Sequence, residues 1–167
     1  MTTTTPITPI TPAQKRLAAH LVQGLSNSEI ATEEYLAPNT VSSHVRGMRQ
    51  NLNCPPRSSR PVLAHALLLH GQVEAPPLPP LRPAFVANED ERLLLRAIAE
   101  HSSPADIARA AKIAPCDLKS RTEALVRAAW ATDSTHLVGL GHALGLLGAA
   151  GHDAASRPAA APEGAGL

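Results

Sequence analysis

The sequence predicts an all-α protein made of two small four-helix units in tandem, and three observations predict it. Aromatic residues are only 2% of the 167-residue chain, so its 44% apolar content has to build a core from Leu, Ile, Val and Ala, which suits short close-packed helices. Val, Ile, Tyr and Phe nowhere alternate with polar residues over a strand's length, whereas apolar residues recur three and four apart. Helix-start signals recur along the chain: a Ser, Thr or Asn followed by Glu or Gln three residues on, or by Pro at the first helical position.

Proline and glycine set the boundaries. Residues 1–9 are Thr/Pro-rich and predicted to be disordered. Residues 72–83, QVEAPPLPPLRP, form a Pro-rich linker that cannot be helical and favours extended polyproline geometry. The Gly/Ala/Pro-rich tail 148–167 is predicted to be disordered as well. Between these breaks lie the two units, 10–71 and 84–147.

In the first unit, Thr11-Pro12-Ala13-Gln14 is a capping box with Pro at the first helical position. Leu17, Leu21 and Val22 form its apolar stripe, which ends at Gly24. Ser26-Asn27-Ser28-Glu29 is a second capping box, opening a short helix that turns Ile30 and Ala31 inward and ends near Tyr35. Ala37-Pro38 marks a third start, because the residue before Pro is pushed out of the α region. Val41, Val45, Met48 and Leu52 then share one helical face, up to the stop at Cys54-Pro55-Pro56. A fourth helix over about 59–70 presents Leu63, Ala66 and Leu67. Four helices with a tight turn between the second and third describe a helix-turn-helix.

Removing the inward face from the third helix leaves Asn39, Thr40, Ser42, Ser43, Arg46, Arg49 and Gln50. Short hydrogen-bonding groups sit near its N-terminal end and arginines further along, the order in which a recognition helix meets base edges and phosphates. The alternative is an ordinary solvated helix face. Net charge over the whole chain is +1. Residues 10–71 carry six Lys/Arg against three Glu, a net of +3; residues 84–147 carry seven against eight, a net of −1. The positive excess therefore lies in the first unit.

At this point residues 10–71 resemble the LuxR-type (NarL/FixJ-type) DNA-binding domain. The block Gly24-Leu25-Ser26-Asn27-Ser28-Glu29-Ile30-Ala31 matches the family's Gly-Leu-Ser-Asn-Lys-Glu-Ile-Ala at seven of eight places. Ile10-Thr11 stands at the family's start; Thr40-Val41 and His44 fit the next piece, Met48 and Leu52 its apolar positions, and Arg57 the arginine ahead of the last helix. The resemblance implies a sequence-specific DNA-binding regulator with residues 38–51 in the major groove of double-stranded DNA. Asn39, Thr40, Ser42, Ser43, His44, Arg46, Arg49 and Arg57 are its candidate contacts. The family's lysine after Thr-Val is Ser42 here, its usual Leu is Glu34, its Ser cap is Ala37 and a later lysine is Asn51. With Glu at 34, Tyr35 and Leu36 are expected to fill that corner.

Residues 84–147 repeat the first unit at an offset of 77. Leu17 maps on Leu94, Leu21 on Ile98, Ser26 on Ser103, Ile30-Ala31 on Ile107-Ala108, Ala37-Pro38 on Ala114-Pro115, and Met48 on Leu125. A degenerate second helix-turn-helix is expected, with a helix over about 115–129 exposing Lys119, Arg121 and Arg127. Lys119 stands where the family keeps its lysine. That unit either contacts DNA, through Lys119 and Arg121, or serves as a packing unit. Twelve polyproline-like linker residues would reach about 37 Å at ~3.1 Å each, close to the 34–36 Å between half-sites one DNA turn apart. Family members pair through the fourth helix, so the faces at 62–69 and 137–146 are alternatively expected to pack on each other. The expected partners are DNA and a second copy, or an intrachain pseudo-dimer. The rival reading is an interaction protein that binds RNA polymerase or another regulator without gripping DNA.

Other classes have little support. Cys54 and Cys116 fit neither a disulfide framework nor a metal motif and are expected to be reduced and mostly buried. The eight histidines form no metal-binding spacing, the glycines no phosphate loop, and no catalytic constellation appears, so no cofactor, metal or enzymatic activity is expected. The N-terminus has no signal-peptide pattern and no apolar run approaches ~18 residues, so a cytoplasmic location away from membranes is expected.

Overall fold

The computed structural model describes residues 6–79 and 85–148. Eight α-helices follow in order: α1 (Pro12–Leu21), α2 (Asn27–Glu33), α3 (Pro38–Asn51), α4 (Arg60–Leu69), α5 (Glu89–Glu100), α6 (Pro104–Ala111), α7 (Leu118–Ala128) and α8 (Ser134–Ala143). A 3-10 turn, Pro115–Asp117, leads into α7. No strand occurs among the described residues, and none of their helices is long and apolar enough to cross a membrane.

The starts follow from the capping chemistry. Thr11 Oγ1 accepts from the Gln14 backbone N–H at 3.2 Å, and Gln14 Oε1 accepts from the Thr11 N–H at 3.1 Å. The same reciprocal pairs form at Ser26/Glu29 and Asn88/Glu91. Ser59, Ser103 and Asp133 cap α4, α6 and α8 through their side chains. Gln14 is itself buried and also accepts from Asn51 Nδ2 at 3.2 Å, so the first cap ties α1 to the end of α3. Thr11→Ala is expected to cost about 1 kcal/mol, the usual value of a lost N-cap, read as a shift in the urea midpoint.

Four expectations need correction. Residues 6–9 are docked rather than disordered: Thr8 N–H donates to Asn51 O at 2.7 Å, and Ile7 packs on the core. Residues 1–5 lie outside the described residues, as do 80–84 of the linker and 149–167 of the tail. Tyr35 does not fill its corner; at φ 54° it points away and is 94% exposed. Glu34 closes that corner by accepting from His20 Nε2 at 2.9 Å and Arg16 Nε at 3.3 Å. Cys116 is exposed and Cys54 half-buried. Finally, the described part of the linker is no free spacer. Gln72 Oε1 accepts from the Ile10 N–H at 3.1 Å, and Pro76 is buried over Gly139 of α8.

Backbone geometry keeps the offset of 77. Adding 77 to the bounds of α1, α2 and α3 gives 89–98, 104–110 and 115–128, against the observed α5, α6 and the 3-10 turn plus α7. Two positive φ angles recur at the same interval, Tyr35 (54°) with Lys112 (57°) and Asn53 (56°) with Trp130 (58°), whereas Gly71 (65°), two residues past α4, pairs with Gly145 (72°), two residues past α8, at an interval of 74. Non-glycine residues seldom adopt this conformation, so paired occurrences mark helix ends that close in the same way. α8 departs by three residues because Asp133 caps it early.

The two halves share one core. α4 packs against α8 and α5, and buried Leu63, Ala64, Leu67, Leu95, Leu137 and Val138 belong to a single apolar cluster that also takes in Leu17, Ile30 and Met48. Gly139 is required at this seam: a Cβ there would lie 2.7 Å from Val22 O and 2.8 Å from Pro76 Cγ. Gly139→Ala is therefore expected to destabilise the protein by about 1–3 kcal/mol, the range for overpacking a close contact; thermal unfolding checks it.

His65 Nδ1 and His142 Nε2 meet across the seam at 2.9 Å, with ring centroids 5.0 Å apart. One ring must present a bare nitrogen to the other's N–H. Burial pushes the pKa of both down, against a weaker upward pull of Glu100 on His65; His142, also opposed by His65, falls from 6.5 to about 4. The unfolded chain thus binds protons more readily than the folded one. Stability is full above about 6.5 and is lost as pH falls toward about 4. Urea midpoints across that window should fall, and His142→Gln should flatten the dependence.

Candidate nucleic-acid interface

α3 is amphipathic and lies on its apolar side. Val41, Val45 and Met48 are buried against α1 and α2, and Leu52 follows them into the core. Asn39, Thr40, Ser42, Ser43, Arg46 and Gln50 are exposed on the opposite side, while His44 and Arg49 are half-buried. Arg57 is exposed in the loop before α4. α3 thus brings Asn39 to Arg49 onto one helix, and Arg57 lies beyond its C-terminal end.

The serine hydroxyls are already engaged. Ser42 Oγ donates to Pro38 O at 3.1 Å and Ser43 Oγ to Asn39 O at 3.0 Å, the i−4 contacts usual for mid-helix serine. Their lone pairs remain available as acceptors, though Ser42 also takes Asn27 Nδ2 at 3.2 Å. Asn27 Oδ1 in turn accepts from Arg60 Nη1 at 2.6 Å, and Leu25 O accepts from Arg60 Nη2 at 2.5 Å. One relay therefore joins the first turns of α2 and α4 to Ser42, one turn into α3. Sequence reading missed Asn27 and Arg60 as positioning residues; the signal was an amide at the first position of α2 and an arginine ahead of Pro61.

The charges sort into bound and unbound. Glu29 is held below the usual carboxylate pKa by the Ser26 N–H and hydroxyl, and Glu34 mainly by its hydrogen bond to His20. Both acids beside the turn serve local structure. Neither Arg46 nor Arg49 takes part in an ion pair among the described residues. Arg49 Nε is buried without a hydrogen-bond partner, and desolvation lowers the guanidinium's pKa. Arg60 is lowered by burial too, with Asp133 of the second half opposing that shift and Arg49 adding to it.

On the second half, Lys119 and Arg121 are exposed on α7. Lys119 Nζ lies 4.0 Å from Glu123 Oε1, and Arg121 lines a shallow cleft with Asn88, Asp90 and Glu91. The first turn of α5 holds three acids, Glu89, Asp90 and Glu91, where α1 has none. The surface around α7 is thus of mixed sign.

Among the described residues, no group of three or more His, Cys, Asp or Glu is placed to hold a metal ion. Residues 8–65 match the family model for bacterial regulatory proteins, luxR family. That span runs from the docked Thr8 into the middle of α4. No curated protein and no solved structure matches the chain.

Proposed function

From the premise that residues 8–65 form a LuxR-family helix-turn-helix domain, we propose that the protein is a sequence-specific DNA-binding regulator that reads the major groove with α3. The observation that carries this reading is the outward face of α3, where Asn39, Thr40, Ser42 and Ser43 precede Arg46 and all five are exposed. Short polar groups at that end suit base edges, and the arginines suit phosphates. Arg57 and His44 join as backbone contacts. The Asn27–Arg60 relay, through Ser42, holds α3 at a fixed angle to its neighbours, which a reading helix requires. With a net charge of only +1, affinity rests on this local surface rather than on the whole protein's field.

The experiment is selection of bound duplexes from a random pool. One enriched motif, lost with Thr40→Ala/Ser43→Ala while the protein stays folded, is the expected result. Retention of duplexes without any enrichment would count against specific reading.

A second reading is favoured by one observation. Tyr35, 94% exposed, stands beside the half-exposed Leu36 at the turn before α3. An aromatic so placed suits a protein partner, such as RNA polymerase or another regulator, with the α3 face then idle. Under that reading Tyr35→Ala abolishes partner capture and the duplex selection returns nothing.

A further inference from the structure

The contacts between the two halves have the form of a two-fold interface formed inside one chain. In an isologous interface, if residue i touches residue j of the other unit, then the equivalent of j touches the equivalent of i. Here equivalents differ by 77 from α1 to α3, and by 74 along the fourth helices. α4 and α8 are equivalents of each other and pack directly together, with His65 and His142 touching at 2.9 Å. An element that meets its own equivalent marks the axis.

Away from the axis, the contact at the cap of α4 has a counterpart in the reverse direction. Ser59 N–H, at the cap of α4, donates to Ser102 Oγ just past the end of α5, at 3.0 Å. The equivalent of the cap Ser59 is the cap Asp133, and that of Ser102 is position 25. A Cβ on Gly24, next to position 25, would lie 2.9 Å from Asp133 Oδ1. Thr132 Oγ1 also donates to Gln23 O at 3.4 Å. In both directions, the approach to the fourth helix of one half rests on the end of the first helix of the other.

Resting on the DNA-binding reading above, we infer that the protein is a covalent pseudo-dimer whose single chain covers its own fourth-helix face and occupies a bipartite duplex site with two unequal halves. The occupant of the α4 face is α8, so a second copy of the chain is not required there. α3 and α7 are then related by the axis that passes between α4 and α8, and each faces one half-site. The halves are unequal because the two reading helices differ in charge. The α3 side offers exposed Arg46 and Arg57, and Arg49 free of carboxylates. On the α7 side, Lys119 shares Glu123 and Arg121 sits beside Asp90 and Glu91. The target is therefore a non-palindromic duplex bound in one orientation, with the α3 half anchoring it.

The test combines sedimentation with hydroxyl-radical footprinting on the duplex enriched from the random pool. The free chain is expected to sediment as one chain, and the complex as one chain per duplex. Two protected patches about ten base pairs apart are expected, one stronger than the other. Lys119→Ala/Arg121→Ala changes two exposed side chains and should leave the fold intact. It is expected to erase the weaker patch alone and to lower the salt slope by about 1–2. Two chains on a palindromic duplex, a free dimer, or a single patch unmoved by that variant would overturn the inference while leaving α3 as the reader. Binding to no duplex at all would remove both.

Discussion

Replacing Arg46 and Arg49 together by alanine is expected to weaken duplex binding by about 100-fold or more, since a hydrogen bond to a charged group is worth about 1.5–3 kcal/mol. The slope of log K against log salt should fall by about 2, one for each phosphate contact removed. The two positions separate by stability. Arg46 is exposed and outside the ion pairs, so Arg46→Ala should change stability by less than about 0.5 kcal/mol. Arg49 is half-buried, with its Nε out of reach of solvent, so Arg49→Ala removes buried side chain as well as charge. Arg49→Lys keeps the charge and most of the stem, and should recover part of the salt slope. Anisotropy titrations at two salt concentrations, with urea curves on the same samples, measure both effects. A shallow slope that the double substitution leaves unchanged would contradict the role given to these arginines.

Leu67→Ala is expected to destabilise the whole protein by about 2–5 kcal/mol, the range for a fully buried leucine, and to do so in one transition. Leu67 has no exposed surface and sits on α4, whose neighbours include α8 and α5 of the second half. The sole tryptophan, Trp130, lies in that second half and is a separate reporter. Because one apolar cluster spans both halves, Trp130 fluorescence and far-UV circular dichroism should give the same lowered midpoint. Independent units on a tether would instead give two midpoints, with Trp130 insensitive to a substitution at residue 67.

Much of the first half was legible because its signals are local. A cap needs a hydroxyl and an acceptor three residues later, and Thr11/Gln14 and Ser26/Glu29 form both bonds. The inward face of α3 follows from a period of 3.6, and Val41, Val45 and Met48 lie where that period puts them. An offset of 77 was expected from caps and prolines; the bounds of α5 to α7 fall at that interval, while α8 lies at 74 from α4 because Asp133 caps it early. What depended on tertiary contact was not. The linker's length suggested a spacer, yet Pro76 finds a slot over Gly139 that exists only when α8 lies beside α1. Residues 6–9 looked disordered by composition, but the end of α3 offers them Asn51 O. Tyr35 and Leu36 were expected to fill the corner that Glu34, in place of the family's Leu, would leave open. Glu34, with His20 and Arg16 within reach, closes the corner with polar bonds, and the left-handed turn sends the ring outward. The fourth helices were read as apolar faces with two open uses, and their packing on each other was one of them.

The claim on which the rest depends is that the helix from Pro38 to Asn51 contacts the duplex through its polar side. Backbone amide NMR of the full chain, titrated with the enriched duplex, tests it residue by residue. The predicted result is a run of large shift changes from Asn39 to Arg46, smaller ones around Lys119 and Arg121, and little change at the buried seam of α4 and α8. Changes confined to other surfaces, such as Tyr35 and its neighbours, with the amides of α3 unmoved at saturation, would contradict it.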